Sequence, residues 1–161
     1  KPLSADRERT GGLLPVNRLV AETRSRFRHA CEISTRWLDQ DPYDHVNNVV
    51  FYSWFDTAVN SFLIKEGLLD PGTSAIIGLV VESGCRYLRP VGFPGPVEVM
   101  LRVGHLGNSS VRYELGVFTE EDDGAAALGH FVHVYVDRHS RRPVPVPPVW
   151  REKLGALIVP E

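Results

Sequence analysis

Within one short stretch, Arg36 to Asn60, the chain passes from extended backbone through a carboxylate-rich turn, Asp39-Gln40-Asp41-Pro42-Tyr43-Asp44-His45, into a long apolar run beginning Val49-Val50-Phe51. Pro42 fixes its own φ and holds Gln40 and Asp41 extended, so a helix cannot begin before it. Asn47 is the natural N-cap, its side-chain oxygen placed to accept a first-turn amide. A carboxylate, an imidazole and a helix N-terminus therefore meet within a few residues. First-turn amides have no partner inside the helix and carry partial positive charge, so they can hold an oxyanion. A carboxylate beside them is a base or nucleophile next to donors for a tetrahedral intermediate, and acyl transfer to water is the reaction that fits. The plainer alternative is a loop in which Asp and Asn do turn and capping work only.

The helix that must position this turn is unusually apolar. Val50, Trp54, Ala58 and Phe62 form one i,i+4 row and Phe51, Phe55 and Val59 a second, leaving Ser53, Asp56, Thr57 and Asn60 as a narrower polar face. Such a helix needs wrapping, and a curved sheet downstream would do it. Gly67 is its expected stop, followed by the turn Asp70-Pro71-Gly72. Upstream, Arg28 to Leu38 reads as a first strand. Downstream, Ile76 to Leu88 is continuously apolar, and Val97, Val99, Leu101 and Val103 alternate with Glu98, Met100 and Arg102. A turn at Gly107-Asn108 leads to Val111, Tyr113, Leu115 and Val117. Another at Asp122-Asp123-Gly124 opens a last strand from about Ala126 to Val136, so three long strands make an antiparallel meander. Val149 to Leu157 reads as a short terminal helix. Asn17 is placed to cap another over Arg18 to Arg26, within an N-terminal arm of residues 1–27 that precedes a single domain of residues 28–161.

Composition limits the function classes. A chain of 161 residues with a formal charge of −2 and no basic run gives no reason to expect a nucleic-acid partner. No stretch approaches the roughly 18 to 20 apolar residues of a membrane span, and LLPV near the start is too short for a signal core, so a cytoplasmic protein is expected. Cys31 and Cys85 have no CxxC spacing and read as buried free thiols. No metal is expected: His130 and His133, three apart on a strand, point to opposite faces. GxSxG, GxxxxGK[ST] and GxGxxG are all missing.

Strand, long buried helix, then four long antiparallel strands resembles the hotdog fold, an α+β architecture in which a curved sheet of about five strands wraps a central helix. DQDPYDHVNNVVFY resembles the signature of the 4-hydroxybenzoyl-CoA thioesterase family, and HVNN is similar to acyl-ACP thioesterases of the same superfamily. CRYLRPVGFPGPVEV resembles their paired second and third strands. The resemblance implies hydrolysis of acyl-CoA, or acyl-ACP, thioesters, with CoA present only as part of the substrate and no further cofactor. It makes Asp41 the nucleophile or base, His45 a group orienting it or a water, and the first-turn amides at Asn47 and Asn48 the oxyanion hole. Asn47 and Val49 of that turn, Arg89 for the anionic end of CoA, and Trp54 for the acyl group complete the expected site. Phe55, Phe62 and Val81 are further candidates for lining an acyl pocket.

Departures are present too. Asp44 stands where many relatives have glycine, Tyr43 where the acyl-ACP enzymes have an asparagine, and HLGNSS lacks the basic residues of the CoA-binding loop. Asp39 reads as structural, capping the turn. The resemblance further implies a homodimer or homotetramer with sites between subunits. Two alternatives stay open: a non-catalytic acyl- or CoA-binding hotdog module, and a hotdog dehydratase acting on 3-hydroxyacyl thioesters.

Overall fold

The computed structural model describes residues 22–160, so Asn17 and most of the proposed N-terminal arm lie outside the described residues. The elements are β1 (His29–Ser34), α1 (Asn48–Lys65), β2 (Ile76–Tyr87), β3 (Pro96–Leu106), β4 (Ser110–Phe118), β5 (Ala127–Asp137) and α2 (Pro148–Gly155). The strands form one antiparallel sheet in the order β1-β3-β4-β5-β2.

The predicted meander is β3-β4-β5, and its alternation is real. Val97, Val99, Leu101 and Val103 are buried, whereas Glu98, Met100 and Arg102 are half-buried on the outer face. The sheet order differs from expectation in one respect. β2 pairs with β5 and not with β3, which lies between β1 and β4. Three strand spacings, roughly 14 Å, separate β2 from β3. The segment between them, punctuated by Pro90 and Pro94, therefore crosses the end of the sheet and does not turn back as a hairpin. The first strand is also shorter than Arg28 to Leu38. It stops at Ser34, because Trp37–Asp39 closes into a 3-10 turn, with the Asp39 amide donating to the Arg36 carbonyl at 2.9 Å.

Helix α1 starts and stops where its caps say. Asn47 is extended (φ −60°, ψ 137°) and its side chain accepts the Val49 amide at 3.1 Å. At the other end Gly67 adopts φ 72°. Its amide donates to the Ile64 carbonyl and that of Leu68 to the Leu63 carbonyl, the paired bonds of a Schellman stop. The helix buries Phe51, Trp54, Phe55, Ala58, Val59, Phe62 and Leu63 against the concave face of the sheet. Contact is close enough at Gly129 that a Cβ there would run into the Phe55 ring. Tyr52 stacks over Phe131 of β5, where the helix meets that strand.

The outer face carries a second, smaller cluster of Phe27, Phe118 and Ala125. The described end of the arm, Arg24–Arg26, is a single 3-10 turn crossing that face, not the end of a helix. β2 is an edge strand with Leu79, Val80 and Val81 exposed by 38%, 49% and 61%, interrupted by a bulge at Val80/Glu82. Among the described residues, no helix is long and apolar enough to cross a membrane.

Candidate active site

The turn before α1 is built by its own carboxylates. Asp39, 1% exposed, accepts the Arg36 amide on Oδ2 (2.8 Å) and the Arg36 guanidinium on Oδ1 (2.7 and 2.9 Å). Its carbonyl accepts the Asn47 amide at 2.8 Å, which ties the turn to the helix cap. Asp41 uses Oδ1 to accept the amides of Tyr43 (2.8 Å) and His45 (3.2 Å), and its own amide donates to the His45 carbonyl at 2.7 Å. Closing so tight a loop puts Asp44 at φ 64°, a left-handed conformation that Asp adopts more readily than most residues.

A cleft of about 430 Å³ opens beside this turn. One wall is the start of α1 with Asn48 and Phe51, and the other is the end of β2 with Tyr87, Leu88 and the Arg89–Val91 connection. Asp41, His45 and Val46 close the end. The Val46 amide donates to the Val91 carbonyl at 2.7 Å and fastens the two walls together.

The three residues expected to be catalytic, Asp41, His45 and Asn48, thus line one cavity. Among the described residues Asp41 Oδ2 and the His45 imidazole have no hydrogen-bond partner. The helix-start amides are narrowed to one. The Asn47 amide is taken by Asp39, that of Val49 by the Asn47 side chain, and that of Val50 by the Asn47 carbonyl at 2.9 Å. Among the described residues only the Asn48 amide lacks an acceptor in this turn.

The substrate-binding set fares less well. Asn47 is spent on capping, and Val49, 62% exposed, faces away from the cleft lining. Trp54 is 3% exposed and packs on Phe51 with ring centroids 5.0 Å apart, so it belongs to the core and not to the pocket. Phe55 and Phe62 are core residues as well, and Val81 lies on the exposed β2 edge. Arg89 lines the cleft, but its guanidinium is turned to the β4–β5 turn. There it donates to Thr119 Oγ1 (3.0 Å) and the Gly124 carbonyl (3.2 Å) and pairs with Asp122 at 3.5 Å. Through these contacts it braces the β4–β5 turn.

Sequence reasoning missed Tyr87. Its ring meets Phe51 edge-on at 5.1 Å, and its hydroxyl donates to the Asn48 carbonyl at 3.0 Å. Partial burial, with Cys85 beside it, pushes the phenol up to about 12, so it stays a donor across the working pH range. Burial likewise raises Cys85 to about 11, which marks it as an inert thiol. The only signal for Tyr87 was its inward phase with Ser83 and Cys85 on β2.

This fold, with an acid and a free backbone donor at the start of its wrapped helix, defines a hotdog domain of the thioesterase type. The chain belongs to the Thioesterase-like superfamily, whose profile matches residues 35–154. It is similar to the PA5185 protein from Pseudomonas aeruginosa strain PAO1 (52% identity, 85% of this chain and 96% of that one, TM-score 0.82). The PA2801 protein of Pseudomonas aeruginosa also matches (35% identity, 78% and 97%, TM-score 0.73). So does a thioesterase from Thermus thermophilus, solved with coenzyme A and zinc (32% identity, 82% and 94%, TM-score 0.67). No match is found among curated proteins.

Proposed function

We propose that this protein hydrolyses acyl-CoA thioesters to the free acid and CoA. The observation that carries the reading is the pairing, in one cleft, of an Asp41 carboxylate with one uncommitted oxygen and an Asn48 amide with no acceptor. The carbonyl oxygen of the thioester rests on the Asn48 amide, where negative charge develops as the carbonyl carbon becomes tetrahedral. Asp41 acts in one of two ways. As a base it takes a proton from water, whose oxygen attacks the carbonyl. As a nucleophile it attacks directly, expels the thiolate and forms an anhydride that water then cleaves. Either way the thiolate leaves and is protonated. His45, beside Asp41 at the closed end and with a free imidazole, orients the water.

The Thermus relative bound to coenzyme A supports CoA as carrier. The engaged Arg89 and the uncharged loop His105 to Ser110 leave acyl carrier protein as the second carrier to test. The bare apolar edge of β2 supports pairing with a second copy, giving a homodimer or homotetramer; size-exclusion chromatography with light scattering reads this directly.

The deciding experiment measures thiol release over short, medium, long and aromatic acyl-CoAs for wild type and Asp41→Asn. Turnover in the wild type that falls about a hundred- to a thousandfold in the variant, with its melting point kept, is the expected result. Ligand binding without turnover, indifferent to the substitution, would instead identify a non-catalytic binding module.

A further inference from the structure

We infer that Tyr87 is a positioning residue that sets the direction of the Asn48 amide, and so governs how well the cleft stabilises the oxyanion. This rests on the hydrolase reading above. The two cleft walls are joined at two places. At the closed end the Val46–Val91 backbone bond holds them, and at the mouth the Tyr87 hydroxyl donates to the Asn48 carbonyl at 3.0 Å. Asn48 is the first residue of α1, where a helix has fewest bonds to fix its backbone. Its carbonyl is held from the β2 side while its amide is the one first-turn donor without an acceptor among the described residues. A donor contributes to catalysis in proportion to how firmly it is aimed before the reaction begins. The carbonyl and the amide of Asn48 lie in successive peptide planes hinged at its Cα, so holding the carbonyl from an adjacent strand fixes one side of that hinge and limits how far the amide can swing. The Tyr87 ring is held in turn by its edge-on contact with Phe51, so the hydroxyl is delivered from a packed position even though the residue is 44% exposed.

The test is Tyr87→Phe, which removes the hydroxyl and keeps the ring. With the best acyl-CoA of the panel, kcat is expected to fall about tenfold or more with KM within about twofold, because the loss is felt where oxyanion charge develops. The melting point stays within a few degrees. Tyr87→Leu, which also removes the ring, shows at least the same fall in kcat together with a raised KM. An unchanged kcat in Tyr87→Phe overturns the inference, and so does a change confined to KM, since that would make Tyr87 a binding contact. Impairment in Tyr87→Leu alone overturns it too, assigning the effect to the ring. A wild type that turns over no thioester refutes the hydrolase reading and this inference with it. Wild-type turnover matched by Tyr87→Phe refutes this inference alone.

Discussion

Asp39 and Asp41 stand two residues apart in one acidic turn, and the fold treats them in opposite ways. Asp39 is buried with both oxygens committed to Arg36, whereas Asp41 spends one oxygen on its own loop and keeps the other uncommitted at the edge of a cleft. The difference separates polar groups whose bonding capacity is saturated, which stabilise, from those left open beside a cavity, which are available for chemistry. His133 provides a third case. It is 3% exposed on the inner face of β5, and neither ring nitrogen has a partner among the described residues. It lines neither the cleft at α1 nor the groove on the outer face, so it should act as a liability of the fold.

That case gives the largest expected effect on stability. Burial lowers the His133 pKa from 6.5 to about 4, against a smaller upward pull from Asp56 on α1. The rings of Tyr113, Phe131 and Tyr135 pack around it, and the two tyrosine hydroxyls bond each other at 2.6 Å. The folded protein keeps the ring neutral while the unfolded chain takes up a proton near pH 6.5. Stability is therefore greatest above that pH, declines as pH falls towards 4, and has lost about 3 kcal/mol below it. Denaturant unfolding from pH 4 to 7 reads the slope. His133→Phe should flatten it, and an unchanged slope would show that the ring is not the group responsible.

Asp39→Ala comes next. Removing the carboxylate strips the Arg36 amide of its acceptor and loosens the turn, at an expected cost of about 2 kcal/mol. At temperatures where the variant is folded, its kcat should drop less than tenfold. Asp41→Asn should behave in the reverse manner, with stability kept and turnover lost. If the two variants lost activity and stability in the same proportion, the contrast between saturated and open carboxylates would collapse.

How much of this is legible in the sequence follows from the range of the interactions. Asn47 and Gly67 act on neighbours within a few residues, so both ends of α1 can be read from local chemistry, as can the period-two strands. Asp44 is equally local: its place in a family glycine position foretells the positive φ. The pairing of β2 with β5 cannot be read, since it joins segments about fifty residues apart through backbone groups that every residue carries. Arg89 misleads for the same reason. Its partners Thr119, Asp122 and Gly124 arrive only when the β4–β5 turn folds over it. Trp54 looks like a pocket residue because its helical row is apolar, but apolarity does not distinguish a core face from a lining. The Tyr87–Asn48 bond spans 39 positions and leaves no local trace.

A smaller test concerns the strain inside the same turn. Asp44 at φ 64° should tolerate Gly with little change, whereas Asp44→Ala places a Cβ in the left-handed region at a cost of about 1 kcal/mol. Thermal melts of the two variants side by side measure the difference. Equal melting points would mean that the loop relaxes, and that Asp41 is held less firmly by its two amides than their distances indicate.

The smallest effect is expected on the outer face of the sheet, where charged groups are numerous and nearly all paired. Arg102 bonds Glu22 and Glu114, Arg112 reaches Glu82 and Glu114, and Glu82 also meets His130 at 2.8 Å. A groove of about 420 Å³ runs among them, comparable in size to the cleft at α1. Size alone therefore does not separate the two; the state of their polar groups does. Glu82 is 60% exposed and its contacts are screened by water, so Glu82→Gln should shift stability by less than about 0.5 kcal/mol and leave thiol release untouched. Raising salt should shrink even that shift. A loss of turnover in Glu82→Gln would mean that a saturated ion-pair lattice on the opposite face of the sheet takes part in the reaction. The distinction drawn from Asp39 and Asp41 would then fail at its most exposed point.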